Sequence, residues 1–146
     1  MKSIVKLIGL IALVAIIGFS MAACATGNGG TTSYSLDGVW ERSGGRQITV
    51  SGNTGVFSSF ENNPRAIMQD AINKGYYALG GQVWRNLAST GNLTWTGLYL
   101  AVQDNDSSPN VVTGTIWFNC TFTLSANGQT LTCKDSTGTE TWTRKQ

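Results

Sequence analysis

Residues 111–125 alternate with a period of two: Val112, Gly114, Ile116, Phe118, Cys120, Phe122 and Leu124 fall on one parity, and Thr113, Thr115, Asn119, Thr121 and Thr123 on the other. Successive side chains of a strand point to opposite faces, so this pattern requires an extended segment with one buried face. The run is too long for an ordinary sheet strand, which predicts a curved strand wrapping a barrel, or a break near Asn119. Asn127 and Gly128 then supply a hairpin turn, and residues 129–134 return with Leu131 and Cys133 on the buried face. A two-residue loop there sets Phe122 opposite Cys133 and leaves Cys120 one diagonal step away on the same face. The two cysteines are then either a disulfide, helped by twist or a bulge, or a pair of small buried side chains.

The rest of the chain after residue 35 breaks into short Thr, Val, Ile and Trp-rich runs punctuated by Gly, Asn, Asp and Ser. Strands are predicted over residues 36–42, 46–50, 55–60, 82–87, 93–102 and 139–144. With the two above, the expectation is an all-β domain: an up-and-down antiparallel barrel of about eight strands, with an open sandwich as the alternative. One segment departs from this pattern. Asn63 can cap a helix, Pro64 suits its first position, Gly75 can stop it, and Ile67, Met68, Ala71 and Ile72 share one helical face. This short inserted helix is either a lid over the barrel mouth or a plug on one end of the core.

The amino end has a different composition. Lys2 and Lys6 precede an apolar stretch from Ile4 to Phe19, and Ser20, Met21, Ala22 and Ala23 lead to Cys24. Positive charge, apolar core and small residues in that order make a secretory signal peptide, shorter and more Gly-interrupted than a membrane-spanning helix. The cysteine just after two alanines resembles the lipobox of bacterial lipoproteins, although Met21 stands where that motif has an aliphatic residue. The resemblance implies a signal peptide over residues 1–23, an acylated Cys24 as first mature residue, and anchorage in the cell envelope. Ala25 in place of Asp fits sorting to an outer membrane. The alternatives are ordinary cleavage near Ala22 or Ala23 and an uncleaved anchor. Of three cysteines, acylation of Cys24 leaves Cys120 and Cys133 to pair in an oxidising compartment. Residues 24–35, rich in Gly, Thr and Ser, read as a flexible tether and residues 36–146 as one domain.

Charge and residue type exclude several functions. The chain has ten basic and eight acidic residues; loss of Lys2 and Lys6 with the leader leaves a neutral domain with no electrostatic footprint for nucleic acid. There is no histidine, which removes the commonest general base and metal ligand. Asp104, Asn105, Asp106 and Ser108 resemble the start of a calcium loop. Pro109 and Thr115 stand where that loop needs Gly and Glu, so a solvated turn is expected. No catalytic residues, metal or cofactor are expected, and an enzyme is not.

Gly38, Val39 and Trp40 spell the GxW pattern that opens lipocalins, and Arg144 stands where that family has a basic residue near the end of its last strand. The domain resembles a lipocalin-like, calycin-type barrel, and the resemblance implies that Arg144 packs over Trp40 at the closed end. The helix lies mid-chain instead of after the last strand, and the family's middle motif is missing. Trp40 followed by Gly44, Gly45 and the strand Ile48, Thr49, Val50 is also similar to avidins, but their biotin site finds no residue-by-residue match.

Five tryptophans, Trp40, Trp84, Trp95, Trp117 and Trp142, fall one to a strand. They either fill the barrel or line a pocket for a small apolar ligand, with Trp84, Trp95 and Tyr99 as candidate wall and Gly97 leaving a gap between two aromatics. Trp117 lies on the threonine face, where an indole signals a contact surface or packing from the helix. The expected function is a lipid-anchored envelope protein that binds a small hydrophobic or amphipathic ligand. The alternative is a structural or interaction lipoprotein with a filled barrel, binding protein or envelope polymer through its outer face.

Overall fold

The computed structural model describes residues 33–105 and 107–146; the leader, Cys24 and the tether up to residue 32 lie outside the described residues. The strands are β1 (Gly38–Glu41), β2 (Gln47–Ser51), β3 (Thr54–Ser59), β4 (Gln82–Ser89), β5 (Thr94–Asn105), β6 (Ser108–Leu124), β7 (Thr130–Lys134) and β8 (Thr139–Arg144), with α1 (Ala66–Asn73) between β3 and β4. Each strand pairs antiparallel with the next and β8 returns to β1, closing a barrel. Closure sets Trp40 opposite Arg144 and Glu41 opposite Thr143, which removes the free edges an open sandwich would leave.

The long alternating segment is one unbroken strand of 17 residues. There is no break at Asn119; the strand continues because β5 pairs with it along nearly its whole length. Register after the hairpin is as the turn residues predict, Phe122 opposite Cys133, although the loop opens to residues 126–129, with the Ser125 N–H donating to Thr130 O at 2.8 Å. Asn127 Oδ1 holds that loop by accepting from the Gln129 N–H at 3.1 Å. Cys120 and Cys133 are bridged, their Cα atoms 6.2 Å apart.

The two ends of the barrel differ. One carries the chain's entry before β1 and the β2–β3, β4–β5 and β6–β7 turns. There Trp40 Nε1 donates to Leu36 O at 2.7 Å, and the Arg144 guanidinium lies 4.3 Å from the Trp40 ring centroid. Arg144 also donates to the carbonyls of Ser35, Asp37 and Gly128, and the Tyr34 hydroxyl donates to Ala126 O. This end is sealed by the Trp40 and Arg144 pairing that the sequence pattern implies.

The other end carries the β1–β2 turn, the β3–β4 connection with α1, the β5–β6 hairpin and the β7–β8 turn. β6 pairs with β7 only over residues 121–124, so its earlier part lacks a strand on that side. The helix takes up that position. The Val112 N–H donates to Asp70 Oδ2 at 2.7 Å, Lys74 Nζ donates to Val112 O at 2.9 Å, and the Tyr76 hydroxyl donates to Thr113 O at 3.2 Å. α1 begins later than the capping pattern predicts: Arg65 is the N-cap and no side chain caps the helix, so Asn63 and Pro64 belong to the incoming loop. Its end follows the expectation, with Gly75 at φ +75° and the Tyr76 N–H donating to Ala71 O. That is the left-handed glycine cap.

Candidate functional site

The inward faces of the strands form two layers. The lower layer is apolar and closely packed: Trp40, Ile48, Trp84, Phe122, Leu131 and Trp142 are shielded from solvent. Trp84 meets Phe122 and Trp142 edge to face, with centroids 5.0 Å and 5.3 Å apart, geometry that suits the ring quadrupoles. Trp95 is buried and stands opposite Phe122. A Cβ at Gly97 would lie 2.8 Å from Leu87 Cδ2 and 3.3 Å from a Phe122 ring carbon, so neighbouring side chains fill the gap between Trp95 and Tyr99. Leu87 faces inward there because a register shift between Arg85 and Ala88, with Asn86 at φ +56°, turns the strand.

Above this layer, at the end opposite the sealed one, lies a cavity of about 750 Å³. Of the three expected wall residues only Tyr99 lines it; Trp84 and Trp95 belong to the filled layer beneath. Ile67 and Met68 of α1, Tyr77, Ala101 and Val102 add apolar wall. The helix is thus neither a lid nor a plug alone: it covers the side of β6 and gives the cavity one of its walls. Tyr77 is anchored by its hydroxyl, which donates to Leu100 O at 3.1 Å, and its ring packs 4.9 Å from that of Phe57. Burial pushes the Tyr77 phenol up to about 12. Burial also pushes Tyr99 upward, with the negative charge of Glu140 acting in the same direction, so both hydroxyls stay protonated at neutral pH.

The remaining wall is polar. Arg42 and Arg46 come from the two ends of the β1–β2 turn, Glu61 from the loop after β3, and Glu140 from β8. Arg46 Nη2 donates to Glu61 Oε1 at 2.8 Å, with both side chains largely buried, and Arg42 Nη1 donates to Glu140 Oε1. Two atoms of this wall, Arg46 Nε and Glu140 Oε2, are buried with no hydrogen-bond partner among the described residues. Asp135, at the rim, is occupied by its own turn, accepting from the Thr137 and Gly138 N–H groups.

These four charged residues are absent from the expected site, yet strand parity marks three of them. Arg42 follows Trp40 by two, Arg46 precedes Ile48 by two, and Glu140 precedes Trp142 by two. Each therefore points inward, one step above a core residue. Glu61 comes from a loop, where parity carries no information.

The other singled-out residues lie elsewhere. Trp117 is half-buried on the outer face, with the Arg85 guanidinium covering its ring at 3.9 Å from the centroid. Asp104 and Asn105 are exposed in the β5–β6 hairpin, where Asn105 Oδ1 accepts from the Ser107 N–H; Asp106 is outside the described residues. Among the described residues no group of three or more metal-ligating side chains converges, and no helix is long and apolar enough to cross a membrane. No family model matches the chain, and no curated protein or solved structure matches it either.

Proposed function

We propose that this chain is a non-enzymatic cell-envelope lipoprotein, anchored through an acylated Cys24, whose lipocalin-like barrel binds a small amphipathic molecule in its mouth. The observation that carries the proposal is the cavity, about 750 Å³ in volume, whose lining combines Tyr77, Tyr99 and Met68 with the Arg42, Arg46, Glu61 and Glu140 cluster. Pockets for small ligands have this size, and polar residues outnumber apolar ones in the lining here, which favours an amphipathic over a purely hydrophobic molecule. The packed layer below limits the depth of entry, so the ligand lies across the mouth rather than along the barrel axis. Three cysteines, one of them ahead of the domain and the other two bridged, agree with an oxidising compartment outside the cytoplasm.

A second proposal, an interaction lipoprotein that uses its outer surface, draws on the filled lower barrel and on exposed Tyr76, Leu79, Val111 and Ile116 around the open end. Native mass spectrometry of the protein purified from its own envelope separates the two. A small molecule retained by the native chain and lost on Tyr99→Ala supports binding in the mouth. Recovery of empty protein, together with no tryptophan fluorescence change against a panel of fatty acids and other amphiphiles, overturns it. For the anchor, Cys24→Ser is expected to release the protein from membranes, and unchanged membrane association would sink that half of the proposal.

A further inference from the structure

We infer that the bare edge of β6 between α1 and β7 binds a short extended peptide with apolar residues at alternate positions, seated where a regular barrel would have a further length of strand. The inference goes beyond the small-ligand proposal and does not depend on it. The Leu124 N–H donates to Leu93 O at 2.8 Å, and the β5–β6 register runs without a shift from Thr94 opposite Thr123 to Gln103 opposite Gly114. Over that stretch even-numbered residues of β6 turn their backbone groups to β5, and odd-numbered ones turn theirs away. On the side away from β5, β7 stops at Thr121 and α1 takes up Val112 and Thr113. Between these two, the outward-turned N–H and C=O groups of Thr115, Trp117 and Asn119 have no hydrogen-bond partner among the described residues.

The side chains point to the same occupant. Ile116 and Phe118 share the inward parity of Cys120 and Phe122, yet Ile116 is 36% exposed and Phe118 is only half-buried, outside the core. Native sheets usually blunt an open edge with charge, proline or a bulge. Residues 114–120 carry none of these. An extended backbone offers donors and acceptors at the strand spacing, and its alternating side chains would cover Ile116 and Phe118 on one face. A second copy of this chain does not fit: antiparallel pairing of two β6 edges about Trp117 sets Thr113 of one against Thr121 of the other, so α1 of one copy meets β7 of the next. The tether does not match either, since residues 25–32 are only Ala, Thr, Gly and Asn. Bounded at both ends, the edge has room for a segment of about five residues.

Fluorescence anisotropy of the full chain in nanodiscs, with empty nanodiscs as blank, uses a labelled short peptide of alternating threonine and valine with a lysine tail for solubility. Two further peptides are N-methylated, one at every threonine amide and the other at every valine amide. The unmethylated peptide is expected to bind. One methylated form should bind about as well, and the other should be weaker by about tenfold or more, because only one set of amides faces β6. Thr115→Pro removes an edge N–H but no bond of the β5–β6 ladder, and should weaken the unmethylated peptide by about five- to tenfold. Equal binding of both methylated forms overturns strand pairing, and no binding of the unmethylated peptide overturns the site. A concentration-dependent dimer in sedimentation, lost in Thr115→Pro, assigns the edge to a second copy and overturns the peptide occupant. The methylated pair on the unsubstituted chain decides the matter alone where Thr115→Pro does not fold, and none of these outcomes bears on the cavity.

Discussion

Arg144 lies across the face of Trp40, directly opposite it in the β1–β8 register, and fastens three backbone segments at once. Its guanidinium sits 4.3 Å from the ring centroid and donates to carbonyls of Ser35, Asp37 and Gly128. The contact therefore joins the incoming chain, the β6–β7 turn and the seam where the barrel closes.

Replacing Arg144 by Ala removes the stacking and three charge-assisted hydrogen bonds, and should cost about 2–4 kcal/mol in urea unfolding. Arg144→Lys keeps the charge but has a single nitrogen in place of the planar fork, so it should recover less than half of that loss. Full recovery by lysine would mean that charge alone, and not the fork, holds the sealed end.

Gly97→Ala tests whether the lower layer is filled. The new methyl would stand 2.8 Å from Leu87 Cδ2 and 3.0 Å from the Arg85 carbonyl oxygen. Overpacking of this kind costs about 1–3 kcal/mol, read as a lower urea midpoint at unchanged slope. A neutral or stabilising result would show space beside Trp95 for a ligand after all.

The clasp between α1 and β6 should weaken in acid. The Asp70 carboxyl is held below its ordinary value of 3.8, first by the hydrogen bond from Lys74 and then by the Val112 N–H. A carboxyl depressed in the folded state contributes stability that is present above its unfolded value and lost as pH falls through the folded one. Asp70→Asn should therefore be less stable than the parent near neutrality. The two curves should approach each other as pH drops below about 4, followed by denaturant titration at each pH. A gap that stays constant down to strong acid would rule out the clasp as a titrating contact.

Alkali should act on the cavity wall. The Tyr77 phenol rises from 10.0 to about 12 on folding, mainly through burial. Between those values the unfolded chain loses this proton while the folded one keeps it, so stability declines as pH rises, by up to about 1.4 kcal/mol per unit from this group. Tyr77→Phe lowers stability at neutrality, since Leu100 O loses its donor, but should flatten the decline above about pH 10. An unaltered alkaline slope would show that Tyr77 is reached by hydroxide in the folded protein.

Much of the barrel was legible because its strands obey a period of two over a single continuous core. The alternation through Phe118, Cys120 and Phe122, the Asn127 and Gly128 turn, and the Trp40 and Arg144 pairing each agree with the observed register. The helix was recognisable from Ile67, Met68, Ala71 and Ile72, but its start was not: Arg65 is the N-cap by backbone position alone, with no side-chain hydrogen bond for a local capping pattern to mark. The wall candidates Trp84, Trp95 and Tyr99 divide between the packed layer and the cavity because residue type and parity carry no information on height along the barrel. Trp84 and Trp95 point inward like Tyr99, and only the height of each along its strand decides whether it meets Phe122 and Leu87 or open space. That height depends on strand stagger, and the register shift at Asn86 has no sequence marker. The inward parity of Arg42, Arg46 and Glu140 was the available clue to the polar wall.

The entry of the chain beside Arg144 has a further consequence for traffic. The incoming segment from Tyr34 meets the barrel at its shut end, and the cavity lies at the opposite one. If the proposed ligand is bound, it then enters and leaves through the end that the incoming segment does not occupy.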